Sequence, residues 1–326
     1  MKTPVPSVRT PDAAFENLDG YPFAPNYLDV DGLRMHYVDE GPKGAPVALM
    51  VHGMPTWSYL YRRIIPPMLA AGYRCIAPDH IGFGRSDKPT LPEWYDIARH
   101  TGNLTRLVEA LDLRDVTLFV QDWGGPTGLA QYAAMPERFS RLVIMNTWLH
   151  HEGFAYTPAI QHWIEQNSPG GLFRDMVPAR FNWGTLMVVG TRRAEPQTAL
   201  LPLLQGETPS LPPDADAVRR AYDAPFVGLG EEGVTGPRQF PLSIPVRDHA
   251  RGNGDAQAAH FAAVNATRLP VHFVWGCADD VFPEEWGRSW HARIPHATWD
   301  AFEDAGHFLQ DTHGDRIAAA VLSRAR

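Results

Sequence analysis

Short, strongly apolar runs recur along the chain, and most of them are separated by longer stretches whose pattern is typical of helices. The runs are VALMV at 47–51, RCIAP at 74–78, VTLFV at 116–120, LVIMN at 142–146 and VHFVW at 271–275. A chain that alternates such strands with helices forms a mostly parallel sheet with helices on both faces. We therefore predict an α/β fold.

The end of the chain continues this pattern. A further strand is expected near 297–302, and a final helix is expected from about Thr312. Together with the earlier runs, these elements predict that the sheet is built from both ends of the sequence.

The pattern changes between Met145 and about Pro241, where prolines and glycines interrupt the chain and no strong strand run occurs. Tryptophans and phenylalanines are scattered through this stretch. We interpret it as a mainly helical cap inserted into the sheet domain. The predicted division is a core of residues 1–147 and 242–326 and a cap of residues 148–241.

Composition and charge narrow the classes of partner. The chain has 326 residues, a formal net charge of -8 and no run of Lys or Arg, which argues against nucleic acid or an anionic membrane as partner. A small neutral substrate fits better. The N-terminus lacks the apolar core of a signal peptide, and no apolar run approaches the roughly 20 residues of a membrane span, so we expect a cytoplasmic protein.

The two cysteines, Cys75 and Cys277, lie far apart in apolar segments. We expect both to be buried, reduced thiols rather than a disulfide, and neither has the spacing of a metal ligand. The sequence predicts neither a metal nor a cofactor.

The stretch VQDWGG at 120–125 follows a predicted strand and precedes a predicted helix. Such a turn exposes its apical side chain beside backbone N–H groups, which suits a nucleophile facing an oxyanion hole. Asp122 occupies the apex, although an Asp before a helix can also be a simple N-cap. Because His52 and Gly53 follow the preceding strand, we predict that the backbone N–H groups of Met54 and Trp123 form the oxyanion hole.

Two later segments supply candidates for an acid and a base. The strand VHFVWG is followed by Asp279 and Asp280, and a later loop contains His307. The order of nucleophile, acid and histidine along the chain, Asp122, Asp279 and His307, matches that of the α/β-hydrolases. The sequence therefore predicts an α/β-hydrolase fold in which an aspartate stands where serine is usual.

Several segments resemble the haloalkane dehalogenases. They cover most of both core halves and part of the cap, although the HGxP, DWGG and late GH motifs also occur in epoxide hydrolases. The segments are HGMPTWSYLYR at 52–62, APDHIGFGRSDKP at 77–89, VQDWGG at 120–125, AYDAPF at 221–226 and AGHFLQ at 305–310.

This resemblance implies a two-step hydrolysis. Asp122 would displace halide from carbon and form an alkyl ester, and water activated by His307 would attack the ester carbonyl. A serine would form an ether, which has no carbonyl for water to attack. Asp279 would orient His307, with Asp280 as the alternative. In another branch of the family the acid follows the strand after the nucleophile, but the corresponding residues 144–147 here contain no carboxylate.

The resemblance also implies halide donors. Trp123 matches the family's first halide-binding residue, since an indole N–H donates without acting as a base. The largest branch has an asparagine at the position of Met54, and a thioether has no N–H to replace it. Another branch uses a cap tryptophan, for which Trp163 is our candidate and Trp183 the alternative. Plain packing in the cap explains either one equally well.

Two other functions remain open. An epoxide hydrolase shares this chemistry but needs two cap tyrosines, for which Tyr156 and Tyr222 are available. A binding protein that keeps the fold without turnover is the third reading. The expected partners are a small hydrophobic halogenated substrate, water and a halide ion. The preferred chain length and halogen and the oligomeric state are not determined by the sequence.

Overall fold

The computed structural model describes residues 4–171, 174, 184 and 215–324. Within these ranges no helix combines the length and the apolar character that crossing a bilayer requires. The candidate nucleophile, acid and base all lie in the described residues. Trp183 lies outside them.

An eight-stranded sheet forms the centre of the described structure. The strands in chain order are β1 (Ser7–Val8), β2 (Asn26–Val30), β3 (Leu33–Glu40), β4 (Val47–Val51), β5 (Arg74–Pro78), β6 (Lys88–Pro89), β7 (Val116–Asp122), β8 (Phe139–Thr147), β9 (Val271–Gly276) and β10 (Thr298–Phe302). The order across the large sheet is β10-β9-β8-β7-β4-β5-β3-β2, and β1 pairs with β6 separately.

Most neighbouring strands of the large sheet are parallel. The pairs from β5 through β4, β7, β8 and β9 to β10 are all parallel. The antiparallel pairs are β2 with β3 and β3 with β5, at one edge. The expectation of a mostly parallel sheet is confirmed, and the antiparallel edge is an addition that the sequence pattern had not indicated.

Helices flank this sheet and also fill the chain between β8 and β9. In chain order the described helices are α1 (Ile65–Ala70), α2 (Ile97–Ala110), α3 (Gly124–Ala134), α4 (Pro158–Asn167), α5 (Ala215–Asp223), α6 (Gly230–Gly233), α7 (Thr235–Gln239), α8 (Gly254–Asn265), α9 (Glu284–His291) and α10 (Leu309–Ser323). Residue 97 begins α2 because the Asp96 side chain accepts the N–H of Arg99 at 2.7 Å, which satisfies a free donor of the first turn. Among the described residues between 148 and 241 there is no strand.

The central strands are buried on both faces. In β4, Val47, Leu49 and Val51 join one hydrophobic cluster, while Ala48 and Met50 join the other. Side chains alternate across a strand, so each cluster lies on one side of the sheet. Helices α2, α3 and α8 contribute to the first cluster, and α1, α5 and α10 to the second. The sheet therefore has helices on both faces, as the apolar runs predict.

The predicted element positions agree closely with the structure. All five apolar runs lie within strands, and the last strand begins at Thr298, one residue after the expected start. The final helix begins at Leu309 rather than near Thr312. Cys75 is buried and Cys277 is partly buried, and both are free thiols. The strands and the final helix that the pattern predicts are thus present, and their boundaries differ from the expected ones by a few residues.

Candidate active site

A sharp turn between β7 and α3 presents Asp122. Its φ is +51°, in the left-handed region that non-glycine residues adopt only at a cost. Two glycines make room for this turn. A Cβ on Gly124 would lie 2.1 Å from the Val51 carbonyl oxygen, and a Cβ on Gly53 would lie 2.1 Å from Asp122 Oδ1. The ends of β4 and β7 can therefore approach so closely only with glycine at both positions.

The loop after β4 holds one oxygen of the Asp122 carboxylate. The backbone N–H of Met54 donates to Asp122 Oδ1 at 2.8 Å. The His52 side chain fixes this loop: its Nε2 accepts the N–H of His80 at 3.0 Å, so its Nδ1 donates to the Gly53 carbonyl at 2.7 Å. One of the two predicted oxyanion donors thus points at the carboxylate.

His307 lies between two carboxylates. Its Nδ1 is 2.8 Å from Asp279 Oδ2, and its Nε2 is 3.5 Å from Asp122 Oδ2. The three predicted residues are therefore brought together, although 185 positions separate the first from the last in sequence. Of the two neighbouring carboxylates, the buried Asp279 is the one that meets the His307 ring, while Asp280 is exposed.

Asp279 is itself held by two donors. Its Oδ2 accepts the side-chain N–H of Asn146 at 2.8 Å, and its Oδ1 accepts the N–H of Val281 at 2.7 Å. Asn146 also exchanges two hydrogen bonds with the backbone of Gly276, which joins the ends of β8 and β9. These bonds stabilise the ionised carboxylate and fix its direction. In the sequence, residues 144–147 stand out only for the missing carboxylate, and this role of Asn146 was not predicted.

The electrostatics of His307 follow from its two acidic neighbours. Burial lowers the pKa of the imidazole, but the charges and hydrogen bonds of Asp279 and Asp122 outweigh burial and raise the pKa to about 10. With both carboxylates ionised, the ring therefore holds a proton at neutral pH. Removing either negative charge would lower this pKa.

Gln121 contacts the same ring from the end of β7. Its side-chain nitrogen lies 3.1 Å from His307 Nε2 and donates to the His307 main-chain carbonyl at 3.0 Å. The residue is fully buried. Its own Oε1 is buried without a hydrogen-bond partner among the described residues. In the sequence this position stands out only as part of the VQDWGG stretch.

Aromatic rings line the space beside the nucleophile. Trp123 meets Trp148 edge to face at 4.7 Å and Phe240 at 5.3 Å, while Phe282 stacks on Trp148 at 5.2 Å and lies 5.4 Å from the His307 ring. This wall is apolar except for its two indole N–H groups, so it suits a hydrophobic substrate. Trp148 and Phe282 were not identified from the sequence, although both closely follow the carboxyl end of a strand, where α/β sheets bind ligands.

The indole N–H groups of Trp123 and Trp148 have no hydrogen-bond acceptor among the described residues. No hydrogen bond to Trp123 Nε1 is found among the described residues, and Trp148 Nε1 is buried there without a partner. The Tyr156 hydroxyl is close enough for Trp148 to affect its pKa, but the two do not meet in normal hydrogen-bond geometry. Two N–H donors near the nucleophile are thus available to an anion.

The cap tryptophan chosen from the sequence, Trp163, lies in α4. It is partly buried and packs against the hydrophobic cluster that contains Trp123 and Trp148. Trp183, the alternative, lies outside the described residues. Trp163 therefore packs against the same cluster as Trp123 and Trp148, and its role as a donor stays a proposal.

The two tyrosines of the epoxide-hydrolase reading are engaged elsewhere. The Tyr222 hydroxyl donates to Asp311 Oδ1 at 2.8 Å and is buried in the cluster on the opposite side of the sheet. The Tyr156 hydroxyl lies 2.9 Å from His150 Nδ1 in the cluster of Trp123. The structure does not bring the two hydroxyls together.

One group of side chains in the described residues could offer three ligand atoms to a metal: Cys277, Glu284 and Glu303. Burial and the neighbouring glutamates raise the pKa of the Cys277 thiol to about 12, so the thiol stays protonated. A protonated thiol is a poor metal ligand. This group does not include the residues around Asp122.

The chain is similar in sequence and in fold to known hydrolases. Residues 46–314 match the family of the alpha/beta hydrolase fold. A haloalkane dehalogenase of Mycobacterium marinum is 38% identical over 97% of this chain and 98% of its own length. The solved structure of a haloalkane dehalogenase from Paraglaciecola agarilytica is 33% identical, covers 98% of this chain and 99% of its own, and superposes with a TM-score of 0.79.

A relative with another named activity is also similar. A cis-3-alkyl-4-alkyloxetan-2-one decarboxylase of Shewanella oneidensis is 31% identical over 92% of this chain and 87% of its own length. Similar chains can therefore carry different reactions at this fold.

Proposed function

The chain belongs to the haloalkane dehalogenases of the α/β-hydrolase fold, hydrolases that act on carbon–halide bonds, and from this we propose how it converts a haloalkane and water into an alcohol, a halide ion and a proton. The observation that carries the proposal is the position of His307, 2.8 Å from Asp279 and 3.5 Å from Asp122. A 1-haloalkane would give a primary alcohol.

In the first step the Asp122 carboxylate attacks the carbon that bears the halogen. Oδ1 is held by the Met54 N–H, so Oδ2 is the oxygen that forms the new C–O bond. The C–X bond breaks, and its electron pair leaves with the halide. The indole N–H of Trp123 donates to that ion. The product is an alkyl ester whose carbonyl oxygen is Oδ1.

In the second step His307 acts as the base. Esterification removes the charge on Asp122, one of the two charges that raise the pKa of the ring, so the ring can release its proton and then accept one from water. The water oxygen attacks the carbonyl carbon of the ester, and the backbone N–H groups of Met54 and Trp123 stabilise the oxyanion that forms. Collapse breaks the bond to the alkoxide oxygen, the His307 imidazolium returns its proton to that oxygen to give the alcohol, and ionisation of the acid restores the carboxylate.

Asp279 holds the ring for this transfer. Its carboxylate accepts Nδ1–H at 2.8 Å, which leaves Nε2 directed toward the nucleophile and stabilises the imidazolium that forms. It is buried and bound by Asn146, whereas Asp280 is exposed. This contrast supports Asp279 over the alternative.

Two arguments favour two different residues as the second halide donor. The sequence resemblance favours Trp163 in the proposed cap of residues 148–241. The alternative is Trp148, because its buried indole N–H has no hydrogen-bond partner among the described residues. Both tryptophans pack in the cluster that contains Trp123. Met54 contributes only its backbone N–H, because its side chain has no donor.

The test is halide release and acidification by purified protein with a panel of bromo- and iodoalkanes. We expect release that disappears in Asp122→Ala. His307→Phe should stop at the first step, so mass spectrometry after exposure to substrate should show an alkyl adduct on the Asp122 peptide. A proteolytic map of that peptide without an adduct would refute the two-step scheme.

Two parallel panels test the other activities. Epoxides would yield diols if the tyrosines served as donors, but Tyr222 already donates to Asp311. A cis-3,4-dialkyl oxetan-2-one would lose carbon dioxide if the chain shared the activity of the Shewanella relative. Turnover in either panel without halide release would contradict the proposed function.

A further inference from the structure

Gln121 is placed unusually for a buried amide. It is fully buried in β7, one position before the nucleophile, where the pairing of β7 with β8 shifts register. Such an irregularity redirects side chains and is common beside active sites. Here the side chain points at His307, 186 positions away in sequence.

The orientation of the amide is set by the main chain. The side-chain nitrogen donates one N–H to the His307 carbonyl at 3.0 Å, which only the nitrogen end can do. The same nitrogen lies 3.1 Å from Nε2 of the ring. The oxygen end, Oε1, is buried without a hydrogen-bond partner in the part of the chain that the structure describes. Leaving a buried acceptor unpaired costs stability, so packing alone does not explain this side chain.

The contact distinguishes the two forms of the ring. A neutral imidazole with its proton on Nδ1 offers a lone pair at Nε2 to the Gln121 N–H, and donates Nδ1–H to Asp279. An imidazolium would place a second N–H against the amide N–H at 3.1 Å, which is unfavourable. Gln121 therefore opposes the two carboxylates, which favour the charged ring.

Few other groups act on this ring. Among the described residues, Asp122 and Asp279 are the charged groups that face His307, and Phe282 and Phe308 are its aromatic neighbours. Once Asp122 is esterified, a single carboxylate remains. The effect of the Gln121 N–H on the protonation of the ring is then larger, because only the Asp279 carboxylate opposes it.

We propose that Gln121 is a positioning residue for the second step, whose side-chain N–H biases His307 toward the neutral form that can take a proton from water. This inference rests on the proposed two-step function. Because Nε2 has a single lone pair, the water displaces the Gln121 N–H from Nε2 as it transfers its proton, while the anchor on the main-chain carbonyl keeps the amide in place. Gln121 does not touch the substrate and acts only through His307.

The decisive test measures the titration of His307 without turnover. In Asp122→Asn the neutral amide stands in for the esterified nucleophile, and the ring is followed by ¹⁵N NMR with its signal assigned from the His307→Phe variant. Adding Gln121→Met, which keeps the length of the side chain and removes the donor, should raise the pKa of the ring by about one unit. Gln121→Leu gives the same test if the Met variant does not fold.

A matched control removes another buried amide. Gln131 is fully buried in α3 and donates to Thr101 and Thr127 carbonyls away from the ring, so Gln131→Met should leave the titration of His307 unchanged. Equal titration with and without Gln121 in folded variants would overturn the proposal, and so would an equal shift in the control.

Kinetics provide the second readout. In Gln121→Met alone, the acid limb of the ester-hydrolysis rate should move up by about one pH unit, with hydrolysis about tenfold slower on that limb. The alkylation rate should stay unchanged, which a merely structural role would not produce. Equal loss in both steps would refute the positioning role. If the chain released no halide at all, the proposed function would fail while the NMR comparison still decided the role of Gln121.

Discussion

At the scale of single residues, the site depends on how three groups share one imidazole. Asp279 and Asp122 favour its proton, while the amide nitrogen of Gln121 lies 3.1 Å from Nε2 and disfavours it. Burial lowers the pKa of His307, but the two carboxylates outweigh burial and raise it to about 10. In the proposed mechanism the ring therefore acts as a base only after one negative charge has been removed, and esterification of Asp122 in the first step would remove it.

A pair of neighbouring carboxylates tests the assignment of the acid. Asp279→Asn should lower kcat by about 10²- to 10⁴-fold, because an amide nitrogen facing Nδ1 favours the wrong tautomer of His307. The matched variant Asp280→Asn should stay within about threefold of the wild type. Steady-state halide release measures both, with thermal melts to verify folding. An equal loss in Asp280→Asn would contradict the assignment.

A pair of indoles tests the second halide donor. Trp148→Phe should raise the Kd for bromide by about 10- to 150-fold, because a hydrogen bond from a buried N–H to an ion contributes roughly 1.5–3 kcal/mol. Trp163→Phe is the comparison at the cap position favoured by the resemblance. Quenching of the remaining tryptophan fluorescence by bromide gives both constants. If only Trp163→Phe weakened binding, the cap indole would be the donor.

At the scale of elements, the geometry of the nucleophile depends on how closely β4, β7 and β8 approach. Gly124 faces the Val51 carbonyl at the end of β4, and Gly125 faces the Thr147 hydroxyl at the end of β8. That hydroxyl donates to the Asp122 carbonyl at 2.5 Å. The position of Asp122 is therefore fixed by three strand ends and not by the turn alone.

Two glycine variants separate this constraint from helix propensity. Gly124→Ala should destabilise the protein by about 1–3 kcal/mol and lower kcat, because its Cβ would lie 2.1 Å from a backbone oxygen. Gly102→Ala in α2 meets nothing within 4 Å and should stabilise by about 0.5–1 kcal/mol. Urea unfolding measures both. A Gly124→Ala protein as stable and active as the wild type would show that the strand ends can move apart.

The apolar runs specify these elements, but only in part. A strand buried on both faces must be apolar throughout, so β4, β5 and β7 are readable from the sequence. The edge hairpin of β2 and β3 has mixed polarity and was not predicted. An edge strand faces solvent on one side, so its pattern is less distinct.

At the scale of the whole molecule, one aromatic cluster connects the site to the rest of the core. Phe240 contacts Trp123, and it also packs on His80 and on His100 of α2. Both nitrogens of His100 are buried without a partner among the described residues. Burial lowers the pKa of His80, and it lowers the pKa of His100 to about 3.

This buried histidine predicts how stability depends on pH. His100 is neutral when folded down to about pH 3, whereas the unfolded chain takes up a proton below about pH 6.5. Its contribution is therefore present above pH 6.5 and is lost as pH falls, by about 2–3 kcal/mol at pH 4.5. His100→Phe should reduce the loss of unfolding free energy between pH 7.5 and 4.5. An identical pH dependence in urea unfolding would contradict this account.

The sequence by itself determined the alternation of strands and helices, the order of the candidate nucleophile, acid and base, and the chemistry proposed for an aspartate at the turn. These features are local, because each depends on the burial of one element or on the residue type at one position. Asp122, Asp279 and His307 were therefore identifiable before their distances were known.

The tertiary structure alone decided which side chains meet. Asn146 holds Asp279, Trp148 lies against Trp123, and Tyr222 is engaged with Asp311 on the other side of the sheet. Each contact joins residues from different elements, and its existence depends on the packing of strand ends and side-chain direction. A one-dimensional pattern records whether a position is buried, but it does not record the partner toward which a buried polar group points.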